Sequence, residues 1–172
     1  MEEYIDIIDG DNQTLGTISK KEAHIQGSPH RVSAVFLRDS NGYYLCPTAS
    51  AEKSEQGLFH SAAGHVQAGE SYSQAAIREL IEECGISTQE SDLKSLGSYW
   101  FEKDYPDGKL ERERFEIFEA TYLPHMGPIV FNEEQLDEQW LSKEYLQDIY
   151  TNDPTKLSAN LKLTLENILL KN

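Results

Sequence analysis

Positive charge is scarce in this sequence. It carries 15 Lys+Arg against 30 Asp+Glu, a formal net charge of −15. A field of that sign repels phosphate backbones and anionic membrane surfaces, so neither nucleic acid nor membrane is an expected partner. A small anionic substrate would need metal ions or a local basic cluster to bind. Cysteine is almost missing as well. Cys46 and Cys84 are too few for a disulfide scaffold, and their spacing is not a zinc pattern. Two reduced thiols fit a cytoplasmic setting. No stretch approaches the ~20 apolar residues of a membrane span. The opening MEEYIDIIDG is acidic where a secretory leader would be basic and then apolar. Repeats, low-complexity tracts and long linkers are absent too. What remains is 172 residues, 38% of them apolar, which suits one globular domain over 1–172 with a full core.

The pattern of elements predicts an α/β fold. Residues 3–8 alternate as a strand before the turn chemistry of Gly10-Asp11-Asn12. RVSAVFLR at 31–38 reads as a buried strand, followed by the hairpin dipeptide Asn41-Gly42 and a return strand at 43–46. Residues 49–57 read as a polar loop. The clearest helix is 71–84, with Ser71 or Ser73 able to cap its start and Gly85 its end. Strand-like runs at 96–102 and 112–122 flank the turn Tyr105-Pro106-Asp107-Gly108-Lys109. A strand end and short helix are expected within 133–149, and helical spacing returns over 158–170. Strands interleaved with helices indicate one α/β domain.

The helix at 71–84 carries the chemistry. At 100° per residue, Glu79, Glu82 and Glu83 crowd one side, and Ile77, Leu80, Ile81 and Cys84 form an apolar stripe opposite. Like charges three and four residues apart destabilise a bare helix by roughly 0.2–0.5 kcal/mol per pair. A divalent cation removes that repulsion, and hard oxygen ligands suit Mg²⁺ or Mn²⁺. A solvated acidic face is the alternative for the helix taken alone.

The longer segment from Gly64 to Ile86 is GHVQAGESYSQAAIRELIEECGI. Gly64, Glu70, Arg78, Glu79, Glu82, Glu83 and Gly85 stand at the fixed positions of the Nudix box, which the segment resembles throughout. At about 7% usage per residue type, a chance match is on the order of one in a million. The resemblance implies an α/β/α sandwich on a mixed sheet, with a loop-helix-loop motif at 64–86. It also implies a metal-dependent hydrolase that cleaves a nucleoside diphosphate linked to another group. Glu79, Glu82 and Glu83 would hold Mg²⁺ or Mn²⁺, with the Gly64 carbonyl as a further ligand. Glu70 and Arg78 would form an ion pair fixing the loop to the helix. Diphosphates resist attack because anionic oxygens repel the nucleophile, and metals neutralise that charge. A carboxylate in the box or on a later loop, such as Glu133 or Glu134, would act as base.

Around the box, Ala23-His24, Gly27, His30-Arg31, the Glu52-Lys53 to Gly57 loop, Gly64-His65, and Glu111 and Glu113 resemble the isopentenyl diphosphate isomerase branch of that superfamily. The likeness implies a second, transition-metal site made of His24, His30, His65, Glu111 and Glu113. Imidazole mixed with carboxylate suits Mn²⁺, Zn²⁺ or Fe²⁺, and His65 would sit beside the catalytic metal. Two departures separate this chain from the isomerase. The isomerase's reactive cysteine, just before the Gly-His pair, is replaced by Ala63, and the hydrolase box is intact. Both favour hydrolysis over isomerisation. A non-catalytic nucleotide sensor is the other alternative, and it has no need of all the acids. Pro47, Thr48 and Ala49 stand where that branch often carries arginines, which leaves Arg31, Lys53, Arg112 and Arg114 as the expected phosphate contacts.

Overall fold

In a computed structural model, residues 2–51 and 56–171 are described. The strands are β1 (Tyr4–Ile8), β2 (Thr14–Ser19), β3 (His30–Arg38), β4 (Tyr44–Leu45), β5 (Thr48–Ala49), β6 (Ala62–His65), β7 (Leu93–Asp104), β8 (Leu110–Thr121), β9 (Gln135–Leu136) and β10 (Trp140–Leu141). The helices are α1 (Lys20–Gln26), α2 (Tyr72–Cys84), α3 (Lys143–Asn152) and α4 (Ala159–Thr164), the last continuing as a wider π turn over Leu165–Leu169.

β3 organises the sheet. It runs parallel to β8 from His30↔Glu113 to Arg38↔Thr121. It also pairs antiparallel with β1, β6 and β4 in turn. β7 and β8 form the long hairpin expected from the turn at 105–109. The sheet is therefore mixed. Both faces of β3 are covered, which is why it reads as a nearly unbroken apolar run. Val32, Ala34 and Phe36 pack with Phe101, Phe115, Leu146, Leu161 and Leu165, joining the sheet to α3 and α4. Val35 and Leu37 pack with Ala76, Leu80, Cys84 and Ile86, joining it to α2. This is the α/β/α sandwich that the box implies.

Ser71 caps α2 by accepting from Gln74 N–H, and Gln74 returns the bond, a reciprocal capping box. Gly85 closes the helix at φ 68°, in the left-handed region. The burial pattern corrects the helical-wheel reading. Leu80 and Cys84 are buried as expected, but Ile81 is 49% exposed while Glu79 and Glu83 are 7% and 2% exposed. The buried arc is rotated, so two of the three acids lie against the sheet rather than in solvent. β2, α1 and β6 are elements that periodicity did not pick out. α1 has seven residues, too short to announce itself, and is fixed by its Ser19 cap and Gly27.

Candidate functional site

Burying a carboxylate is costly unless it is paired and hydrogen-bonded, and the buried pair on α2 is supplied with partners. Arg78 donates to Glu70 through Nε and Nη2, each at 3.0 Å. Its Nη1 contacts Glu79 at 2.5 Å and Glu82 at 3.3 Å, and Nη2 also donates to the His65 carbonyl at 2.8 Å. Burial works against the guanidinium charge, but Glu70 and Glu79 outweigh it and hold the Arg78 pKa above its ordinary value. Glu83 Oε2 accepts from Gln135 Nε2 at 2.6 Å and from Ala63 N–H at 3.3 Å.

Gly64 faces α2 from the middle of β6. A Cβ there would stand 1.9 Å from Glu79 Oε1 and 2.3 Å from its Cδ. The glycine is needed for this approach, not for an unusual backbone angle. Glu79, Glu82, Glu83, Gly64, Arg78, Glu134, Lys20 and Glu3 border a cleft of about 620 Å³. The acids that resemble metal ligands thus border one cleft of substrate size, with Glu79 directly against Gly64. Carboxylate oxygens at this density, with a cradle that a side chain would fill, fit Mg²⁺ or Mn²⁺.

A second cluster lies on the other face of the sheet. β6 alternates, so Gly64 faces α2 while Ala63 and His65 face the side of Phe115. His24, His30, His65 and Glu113 bring donor atoms within 4.8 Å of one another. The three Nε2 atoms stand 3.8, 3.6 and 3.4 Å from Glu113 Oε1. His24 and His65 Nε2 approach to 3.2 Å. His30 Nδ1–H donates to the Ser28 carbonyl at 2.8 Å, which leaves Nε2 as the ring nitrogen facing Glu113. That atom is buried without a hydrogen bond among the described residues. Burial pushes the His65 imidazole down to about 4, against the pull of Glu113. Burial alone would raise Glu113, but the three facing imidazoles hold it well below the usual carboxylate range. An ionised carboxylate and a neutral imidazole are the forms that ligate metals, so this set fits a transition metal.

Some expected residues are not where they were expected. Glu111 is outside the four-donor group: its carboxylate accepts from Tyr105 Oη at 2.9 Å and from Lys109 Nζ at 2.6 Å. Strand alternation turns the His65 side chain to the face of Phe115, yet His65 borders the acid-lined cleft as well, so it does lie beside the acidic face as expected. Arg31 is tied to Asn12 and Thr14 by three hydrogen bonds. Arg112 pairs with Asp104 at 2.6 Å, and Arg114 lies over the Trp100 ring. None of these three arginines borders the acid-lined cleft or the second cavity described next. Arginines on a strand find local partners, and sequence spacing does not reveal which ones do. Lys53 lies outside the described residues. Cations that sequence reasoning missed are better placed. Lys20 borders both the acid-lined cleft and a second cavity of about 390 Å³, and Lys109 borders that second cavity. Of the two loop acids, Glu134 borders the cleft and Glu133 is exposed. Tyr99 stacks on Phe115 and Phe101 is core, while Trp100 faces outward.

The chain also resembles known proteins. Residues 28–161 match the family model for the NUDIX domain. An isopentenyl-diphosphate Delta-isomerase from Serratia proteamaculans is 31% identical over 163 residues, 92% of this chain and 87% of the relative. A Yersinia pestis protein named "Uncharacterized Nudix hydrolase" is 29% identical over 173 residues, 96% of this chain and 88% of its own length. The solved structure of DR0079 from Deinococcus radiodurans superposes with a TM-score of 0.71 at 22% identity, over 95% of this chain and 98% of that one, a likeness of fold.

Proposed function

The chain belongs to the Nudix family, and from that premise we propose that it is a Mg²⁺- or Mn²⁺-dependent hydrolase of a diphosphate bond in a small nucleotide-like substrate. The observation that carries this reading is the acid-lined cleft, which Glu79, Glu82 and Glu83 border together with Gly64, Glu79 lying directly against the glycine. Those residues would hold the cation. When bound it supplies charge neutralisation for a diphosphate and acidifies an attacking water. The chain's own groups do the rest. Arg78 anchors the loop through Glu70 and the His65 carbonyl. Lys20, at the cleft's edge, offers a positive charge to the substrate's phosphates. Glu134 is the loop carboxylate able to take a proton from water.

The relatives' name favours a second reading, isomerisation of an isoprenoid diphosphate. The thiol chemistry argues against it. Ala63 occupies the place of the isomerase's cysteine. Cys46 and Cys84 are both buried, and neither borders a cavity described here. Burial pushes the Cys46 thiol up to about 12, which keeps it protonated. We expect no conversion of isopentenyl to dimethylallyl diphosphate. Proton-exchange and product assays showing conversion at a rate comparable with hydrolysis would overturn the hydrolase reading.

The substrate is to be sought among nucleoside diphosphate sugars, ADP-ribose, dinucleoside polyphosphates, nucleoside triphosphates and coenzyme A. Turnover of at least one, with Mg²⁺ or Mn²⁺ present, is the expected result. A nucleotide sensor would instead bind and raise the melting temperature without turnover.

The His24, His30, His65 and Glu113 set is proposed as a transition-metal site. Protein purified without chelator and supplied with Mn²⁺ or Zn²⁺ should retain about one metal equivalent more than a His24→Ala/His65→Ala double variant. Equal metal content in the two would remove the site.

A further inference from the structure

We propose that Gln135 is a positioning residue for Glu83, its amide fixing the carboxylate in the form able to hold a divalent cation. This rests on the reading of Glu83 as a metal-holding acid. Both side chains are buried, and they meet across 52 residues of sequence at 2.6 Å. The segment that delivers Gln135 is itself docked on the C-terminal end of α2. Val130 N–H donates to the Cys84 carbonyl at 2.9 Å and Asn132 N–H to the Glu83 carbonyl at 3.4 Å. β9 then pairs Gln135 with Ala49. The amide is thus carried by backbone that is registered to the helix independently of the Glu83 rotamer.

The chemistry of the donor matters. A lysine or arginine at this place would neutralise Glu83 and compete with a cation. An amide N–H orients the carboxylate and leaves its charge intact. With Ala63 N–H on the same oxygen, Oε2 takes a donor from each of two separate elements. The other end of the amide gains nothing comparable: Gln135 Oε1 is buried with no hydrogen bond among the described residues. An orphaned buried acceptor is a cost to folding, so what Nε2 does is the reason for the placement. Outer partners that orient metal ligands typically contribute 10–100-fold to metal affinity.

The test uses Gln135→Met, which keeps length and bulk without the donor. Mn²⁺ binding is measured by calorimetry, with the acidic-face site identified as the fraction that excess Mg²⁺ displaces. Expected is a rise in that site's Mn²⁺ Kd by about 10–100-fold. Combining it with Glu83→Gln should add nothing, because Gln135 acts only through Glu83. A lowered melting temperature with unchanged Mn²⁺ affinity would make Gln135 a structural stitch and overturn the proposal. So would additive effects in the double variant. If Glu83→Gln alone leaves Mn²⁺ affinity intact, the metal reading of Glu83 is what fails. Should Gln135→Met not fold, Gln135→Asn, one methylene too short to reach, carries the same expectation. Failure of both variants to fold would itself mark the residue as structural.

Discussion

Glu83→Gln is expected to cut kcat on any good substrate by about 10²-fold or more, with the fold intact. That corresponds to about 2.7 kcal/mol of lost transition-state stabilisation. The substitution keeps the volume of a side chain that is 2% exposed, so packing against β6 is preserved. What changes is charge and donor balance. A carboxylate that accepts from Gln135 and Ala63 becomes a neutral amide with only one oxygen. That oxygen must either satisfy those donors or face the cleft; it cannot do both as well as two anionic oxygens. Glu82→Gln should lose activity in the same direction, since Glu82 borders the same cleft from its exposed side. Far-ultraviolet dichroism and steady-state kinetics across a Mg²⁺ series check both points. Full activity of both variants in Mg²⁺ would reject the assignment of these acids.

Gly64→Ala is expected to lower kcat by about 10–10²-fold through Glu79, since small misplacements of a catalytic group can cost that much. The added methyl would meet Glu79 Oε1, Cδ and Oε2 at 1.9, 2.3 and 2.8 Å. A real Cβ does not tolerate such contacts, so the carboxylate must swing away. Its contact with Arg78 at 2.5 Å goes with it. Overpacking of this kind costs roughly 1–3 kcal/mol, so a modest fall in melting temperature accompanies the loss. The Mg²⁺ concentration for half-maximal rate should rise. Unchanged kcat and unchanged Mg²⁺ dependence would show that Glu79 has room to move without consequence.

The acid set was legible because one helix carries it. Spacing along α2, its serine cap and its closing glycine are local features, and local features survive in sequence. The orientation of that helix was not local. Glu79 and Glu83 turn inward because Gly64, Gln135 and the Ala63 amide wait for them on other elements. A helical wheel counts hydrophobicity and cannot see those partners. Strand alternation had a similar effect at His65, which is adjacent to Gly64 in sequence yet on the opposite face. The basic residues were the least legible. Arg31, Arg112 and Arg114 bind neighbours near their own strands, whereas Lys20 reaches the cleft from a seven-residue helix that periodicity did not reveal. Gln135 carried no signal at all, since its role depends on a contact made across the fold.

The most direct measurement of the central claim is turnover of the diphosphate panel in water labelled with heavy oxygen, with Mg²⁺, by wild type and Glu83→Gln. Hydrolysis at the acid-lined cleft predicts at least one substrate cleaved, labelled oxygen in a phosphate of one product, and a rate at least about 10²-fold lower in the variant. No cleavage of any panel member, together with unlabelled conversion of isopentenyl to dimethylallyl diphosphate, would contradict it.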